Sequence, residues 1–487
     1  MSWTAEERVT SDATECETGL NHGALAVNAW GTVIAAWAER DGPRGNFRIH
    51  TAERPSGGAW SAPELAVDFP ESYAGSNLGA KFPALLPAAG DSLLLVWHDY
   101  RLDGIDHLEL YAKIRGPGAA WGDSASETRI TNSDHPESGG DNSYVPNLAR
   151  TPDGTAHLAW YDYRYDGDNG EILTKSRTGG AWDTTPGDGP DTNISQNAGN
   201  SDFPALAASP DGALHVAWRD NTTGSYRIHY RRRDPSGGWG GDAVLSPAGV
   251  AAGGVTLAAG GDGTVLAAWS DARTGATALY ARERSPAGAW GPPRRVSPDG
   301  VGAEESAAAV DAGGRRHLVW QDARESAFNR EIFHQAIDAG GVWDSTGASD
   351  FRISTGAGKS SRPTLLLDAA GRAHVVWQDA RHGATELYYR RGGSTLGAPG
   401  GAPGPPVLRA RPNPFRSRVT VTGLGAAARE MLVFDARGRR LAVVPAADGA
   451  AVWDGRTPAG APAPAGLYFV APVPRGAAAP ARVLRLP

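Results

Sequence analysis

Short apolar runs alternate along most of the chain with turns rich in Gly, Pro, Asp and Asn, a pattern that predicts many brief β-strands and few helices. Seven of these runs end in tryptophan, at Trp37, Trp97, Trp160, Trp218, Trp269, Trp320 and Trp377, spaced 51 to 63 residues apart. The same phrase surrounds each: a Gly-containing turn, an apolar stretch, Trp, any residue, then an acid, as in Gly371-Arg-Ala-His-Val-Val-Trp377-Gln-Asp379-Ala-Arg381. Gly stands six residues before Trp in six copies (Gly31, Gly154, Gly212, Gly263, Gly314, Gly371), as the tight turn of a hairpin requires. A second strand signal follows, such as Glu331-Ile-Phe-His or Glu386-Leu-Tyr-Tyr-Arg, then a Gly-rich turn and another tryptophan. These second tryptophans are Trp60, Trp121, Trp182, Trp239, Trp290 and Trp343, and each leads to a short outer strand such as Arg352-Ile-Ser.

The seventh repeat has no second tryptophan, because the chain enters a Gly/Pro stretch after Arg391. The missing piece is at the other end, where Trp3 and Glu7-Arg8-Val9-Thr10 read as the same outer strand. A strand lent by one terminus to a unit begun at the other closes a ring and removes exposed sheet edges. Four-stranded repeats of this length, closed in this way, predict an all-β fold: a seven-bladed β-propeller over residues 1–391 closed by the N-terminal strand.

Composition narrows the function. The repeat pattern accounts for all but two of the 16 tryptophans, which outnumber both the 13 tyrosines and the 10 phenylalanines, so the excess is structural. A net charge of -7 without a basic stripe argues against nucleic acid or an anionic membrane as partner. No apolar run approaches the ~20 residues of a membrane helix. The single cysteine, Cys16, excludes an intrachain disulfide and a thiolate zinc site. The polar amino terminus lacks a signal-peptide core, so the expectation is either a cytoplasmic protein or one whose leader is missing from this sequence.

Five repeats extend the phrase to Trp-x-Asp-x-Arg: Asp99 with Arg101, Asp162 with Arg164, Asp271 with Arg273, Asp322 with Arg324 and Asp379 with Arg381. Repetition in nearly every blade favours a turn brace over a ligand site. Function is expected where the repeats break. The second and third are the longest and carry extra aromatic and acidic residues, so Tyr100, Arg101, Asp103, Asp106, Tyr163, Arg164, Tyr165 and Asp166 form the candidate ligand-binding set. Tyrosine rings can stack on sugar faces while Asp and Arg take up hydroxyl or acidic groups, which points to an extracellular glycan, polymer or protein. Asp166, Asp168 and Glu171 could supply oxygens to Ca²⁺; no other cofactor is expected. Carboxylates from the same set could also serve glycoside hydrolysis, and a purely structural adhesin or scaffold is a further reading. His157, His215, His317 and His374, three residues before their tryptophans, are expected to make hydrogen bonds between blades.

The turns at the second tryptophans resemble the Asp-box of sialidase-type (BNR-repeat) propellers, best in Asp338-Ala-Gly340-Gly-Val-Trp343, with Asp234 before Trp239 a partial copy. The resemblance implies the propeller architecture and, as an alternative to binding alone, a sialidase-like hydrolase. It carries no catalytic residue over, since the Arg-Ile-Pro opening of sialidases is absent and their propellers have six blades. Residues 392–406 form a Gly/Ala/Pro linker. Beyond it, Pro412-Asn-Pro-Phe415, Met431-Leu-Val-Phe-Asp435-Ala-Arg-Gly438, Trp453-Asp-Gly455 and Ala465-Gly-Leu-Tyr468 follow in order. Residues 407–487 thereby resemble the small Ig-like β-sandwich of flagellar hook-capping proteins and of type IX secretion sorting domains. That resemblance implies a bacterial protein that is secreted or held at the cell surface, with the secretion machinery as a partner.

Overall fold

The computed structural model describes the chain apart from residues 1, 11–15, 18–23, 29–30, 41–44, 70–78, 89–91, 102–107, 132–141, 166–167, 184–190, 327–328, 394–407, 412–414, 423–428, 436–438, 448–449, 458, 474–480 and 487. Its strands divide into two compact units, Met1–Thr395 and Leu396–Pro487. The protein is all-β, and the short helical turn Ser124–Ser126 is 3₁₀. Among the described residues no helix is long and apolar enough to cross a membrane.

Among the described residues the first unit contains seven antiparallel sheets of four or five strands, each made of one repeat. Sheet four is typical: Ser201–Ala208, Leu214–Asp220, Arg227–Arg233 and Ala243–Val244 pair in that order. In six of the seven repeats the glycine six residues before the tryptophan turns the first hairpin in the left-handed region, from φ 70° at Gly371 to φ 92° at Gly154, which a Cβ would resist. Sheet seven takes its outermost strand from the amino terminus: Glu7 pairs with Tyr389 and Arg8 with Tyr388, and Trp3 bridges Gly392. Arg8 then pairs with Glu386 at 2.5 Å, and Glu7 reaches Arg54 of sheet one at 2.7 Å.

Each repeat tryptophan packs against the sheet before it. Trp97 lies with Ile34, Ala36 and Ile49 of sheet one, Trp269 with Ala217, Ile228 and Tyr230 of sheet four, and Trp37 with Val376, Leu387 and Tyr389 of sheet seven. All seven are essentially inaccessible. A buried indole removes roughly 200 Å² from water, on the order of 5 kcal/mol before its ordering entropy is subtracted. The first strands of six sheets surround one cavity of about 250 Å³, lined by Leu85, Leu148, Leu206, Leu257, Ala308 and Leu365 among others. Strands from six different sheets can wall one space only if they stand around a common axis, which is the arrangement of a propeller.

In the second unit the strands run Arg409–Arg411, Val419–Thr422, Glu430–Asp435, Arg440–Ala447, Ala450–Trp453, Gly466–Val473 and Ala481–Arg485, all in antiparallel pairs. The spaced motif residues meet in its core: Trp453 contacts the rings of Phe415 and Tyr468 at 5.5 and 5.0 Å, packed with Val419, Met431, Val433 and Val483.

Candidate functional site

The acid of each repeated phrase turns back onto its own tryptophan. Indole Nε1 donates to Asp99, Asp162, Asp271, Asp322 and Asp379 at 2.8 to 3.2 Å, and Trp37 does the same to Glu39. The arginine two residues on grips the same carboxylate and, in four sheets, a second acid: Arg101 with Glu127, Arg164 with Asp191, Arg324 with Asp350 and Arg381 with Glu6. Lys113 and Lys175 join these clusters at Glu127 and Asp191. Arg101 and Arg164 are therefore members of the repeating brace. Sheet four, which lacks the arginine, departs: among the described residues Trp218 Nε1 has no partner, and Asp220 instead accepts from Asn197, Ser201 and Thr222.

The residue between tryptophan and acid points the other way, as strand alternation demands. It differs in almost every sheet: His98, Tyr161, Arg219, Ser270, Gln321 and Gln378. These side chains gather where the first strands begin, at one end of the axis. The first strands there are distorted in the same manner. Pairing slips by one residue in six sheets, opposite the tryptophan in five and opposite Ser270 in sheet five, and Phe82, Val145, Phe203, Glu305 and Arg362 adopt φ of 46° to 50° at the bulge. Left-handed backbone in a residue other than glycine costs on the order of 1–3 kcal/mol and is most unusual for a β-branched residue such as Val145. Bulges of this kind re-aim side chains beside functional sites. In sheet five the position is Gly253-Gly254, which leaves open space.

The two sets of side chains build a continuous aromatic band. Phe82 meets His98 at 4.8 Å, His98 meets Tyr100 and Tyr144 at 6.2 and 6.0 Å, Tyr144 stacks on Tyr161 at 5.1 Å, and Tyr161 reaches Phe203 at 5.7 Å. Tyr163 packs edge-on against both Tyr144 and Tyr161. The band ends at Arg219, whose guanidinium lies between the rings of Phe203 and Tyr226, 4.6 and 4.4 Å from their centres, and holds Asp202 with two hydrogen bonds. Burial pushes the Tyr144 phenol up to about 12 and raises those of Tyr100, Tyr161 and Tyr163, so all four are neutral donors at physiological pH. Burial, helped by the charge of Lys81, lowers His98 to about 3; among the described residues its neutral imidazole has no hydrogen-bond partner on either nitrogen. Burial also raises the Asp202 carboxyl against the pull of Arg219.

Beyond Arg219 the band opens into a cavity of about 420 Å³ over the glycines and Ser270 of sheet five, with Glu304 and Glu305 of sheet six and Arg362 of sheet seven also in its wall. Glu304 is engaged by Arg330 at 2.6 Å.

The sequence-predicted set is thus divided. Tyr100 and Tyr163 belong to the band, Arg101 and Arg164 to the brace, and Tyr165 is exposed to solvent. Asp103, Asp106 and Asp166 lie outside the described residues. Of the Ca²⁺ set, Asp168 is exposed, whereas Glu171 is buried, accepting from Ser195 Oγ and from the Asn197 backbone N–H at 3.1 Å. Among the described residues no group of three or more His, Cys, Asp or Glu could hold a metal. The repeat histidines act within their own sheets rather than between blades. His215 bonds Tyr230 and Ser209, His157 bonds Ser176 and Thr151, His374 bonds Tyr389 and Asp368, and His317 meets His334, because their position faces the third strand of the same sheet. His98, Tyr144, Tyr161, Phe203, Arg219 and Gln378 fall outside the sequence-predicted set. For His98, Tyr161, Arg219 and Gln378 a signal is present all the same, because each stands between Trp and acid, a position that varies inside the repeated phrase; Tyr144 and Phe203 lie on first strands, outside it.

No protein-family model matches the chain, and no curated protein matches its sequence. Solved structures do resemble it. The polysaccharide lyase Uly1 aligns with 80% of this chain and 99% of its own, at 10% identity and a TM-score of 0.54. An ulvan lyase of the PL25 polysaccharide lyase family aligns with 78% of this chain and 94% of its own, at 10% identity and a TM-score of 0.51. At this identity the likeness is one of fold. PorZ, a surface component of the type IX secretion system of Porphyromonas gingivalis, aligns with 94% of this chain and 58% of its own, at 14% identity and a TM-score of 0.39, too low to compare the folds.

Proposed function

We propose that the chain is a secreted or surface-held seven-bladed β-propeller that binds an extracellular polysaccharide across the end of its axis where the bulges lie. The observation that carries this reading is the aromatic band from Phe82 through Tyr144 and Tyr161 to Phe203. Ring faces and edges spread over three sheets, ending in an arginine-carboxylate pair beside an open cavity, suit a chain of sugar rings with apolar faces and hydroxyl rims. Tyr100 and Tyr163, expected from the long second and third repeats, take part in it. The two fold neighbours named above are polysaccharide lyases, so the architecture is one that already handles this class of polymer. Seven sheets whose tryptophans pack in cyclic order support the blade count, and the ordered motifs of the C-terminal unit support an Ig-like sorting domain and export from a bacterium.

Affinity electrophoresis of the full chain through a panel of polysaccharides tests this. At least one polymer is expected to retard it, and Tyr144→Ala and Tyr161→Ala should each weaken that binding about tenfold, the loss of roughly one stacking contact. No retardation by any polymer, or unchanged retardation in both variants, would overturn the reading. A second reading, a glycoside hydrolase, is favoured by Glu304 and Glu305 on the cavity wall. Release of new reducing ends from the retarding polymer without the ultraviolet absorbance of an unsaturated uronate, abolished in Glu305→Gln, would establish it.

A further inference from the structure

A second cavity, of about 280 Å³, lies beyond the first between sheets six and seven and shares Glu305 and Arg362 with it. Its wall also includes Gln321, Lys359, Ser361 and Gln378. Three features coincide in it. The first is charge. The arginines of the repeated phrase are all paired, and Lys113 and Lys175 are bound into the same clusters; among the described residues neither Arg362 nor Lys359 has an ion-pair partner. The second is an unmet donor. Gln378 is 6% exposed, yet among the described residues its buried Nε2 has no hydrogen-bond partner, an omission that is costly unless a ligand supplies the acceptor. The third is placement. Arg362 is held at φ 50° by the bulge, with its backbone N–H donated to Gln321 and Glu305 at 3.2 Å, and the carbonyl of Lys359 accepts from Ala380 at 3.0 Å. Backbone strain is thus sustained where two cations and an unpaired amide border one space.

We propose that this cavity is a subsite for an acidic sugar unit, whose carboxylate is received by the Arg362 guanidinium, the Lys359 ammonium and the Gln378 amide. The inference rests on the polysaccharide reading above and deepens it to acidic polymers. A guanidinium fork and an amide present coplanar donors, which match the two oxygens of a carboxylate better than the tetrahedral oxygens of a sulfate ester. Glu305, on the same wall, leaves one net positive charge, enough for a single carboxylate.

Isothermal titration of the full chain with glucuronate and galacturonate, against glucose, galactose and a sulfated glucose, tests the assignment. A uronate should bind, the neutral sugars at least about tenfold more weakly, since they lack the charge that strengthens its hydrogen bonds. Arg362→Gln and Gln378→Glu, the latter near-isosteric but negatively charged, should each lose about tenfold or more, with melting temperatures close to the parent's. Equal uronate binding in both variants, absence of uronate binding, or preference for the sulfated sugar would overturn it. Neutral-polymer binding that depends on Tyr144 but not on Arg362, without uronate binding, would leave the polysaccharide reading standing and remove the subsite. Arg362-dependent uronate binding by a chain that no polysaccharide retards would do the reverse.

Discussion

Trp97 and Asp99 are buried against the neighbouring sheet and joined by a hydrogen bond, whereas His98, between them, belongs to the aromatic band. The same division separates Trp160 and Asp162 from Tyr161, and Trp377 and Asp379 from Gln378. Frame and site are thus written on alternate residues of one strand. The frame positions hardly vary around the ring because every wedge between sheets asks for the same indole, carboxylate and guanidinium. The middle position varies because its side chain points away from the wedge, so the packing between sheets does not dictate it. Sheet four shows the cost of mixing the two: its middle residue is Arg219, its brace lacks the usual arginine, and among the described residues the Trp218 indole has no acceptor.

The contrast can be broken most severely at the seam. Removing residues 2–10 strips sheet seven of its outer strand and leaves Glu386 and Arg381 without Arg8 and Glu6. A loss of roughly several kcal/mol is expected, read as a large fall in melting temperature; an unchanged one would refute the seam as part of the frame. Next comes a paired test within one strand. Asp271→Ala removes the acceptor of both Trp269 and Arg273 and should cost about 3–5 kcal/mol, the penalty for orphaning a buried charge, while Ser270→Ala beside it should change stability by less than about 1 kcal/mol. Calorimetric melting of the two variants decides this, and similar losses would erase the distinction between positions.

The smallest effect concerns pH. Burial lowers His157, His215 and His317 to about 4 and His98 to about 3, below their unfolded value of 6.5. Above pH 6.5 both states are neutral and stability is flat; between 6.5 and about 4 only the unfolded chain takes up protons, so stability falls as pH falls, by up to about 1.4 kcal/mol per unit for each imidazole. Replacing His215 with Gln should flatten part of that slope in melting experiments between pH 4 and 6.5. A slope unaltered by this change would place the protons elsewhere.

The repeat, its strands and its closing segment are legible in the chain because hydrophobic period and turn glycines act locally. The braces are legible too, since Trp-x-Asp-x-Arg recurs at a spacing that strand alternation interprets. The site is less so. Tyr100 and Tyr163 can be reached from the long repeats, but Arg101 and Arg164, equally prominent there, are engaged by Glu127 and Asp191 from the outer part of their own sheets, residues 26 and 27 positions away. The histidine pattern is visible, yet whether it faces its own sheet or the next depends on a direction that spacing does not contain.

What the sequence determined by itself is the number of similar units, their strand pattern and their closure, all consequences of short-range periodicity. What only the tertiary structure decided is which residues meet at the axis. Phe82, Val145, Phe203, Glu305 and Arg362 carry no common side-chain chemistry that would mark them as equivalent. They come together because each first strand slips by one residue opposite a buried tryptophan, and a bulge is a compromise between neighbouring strands that neither strand specifies alone.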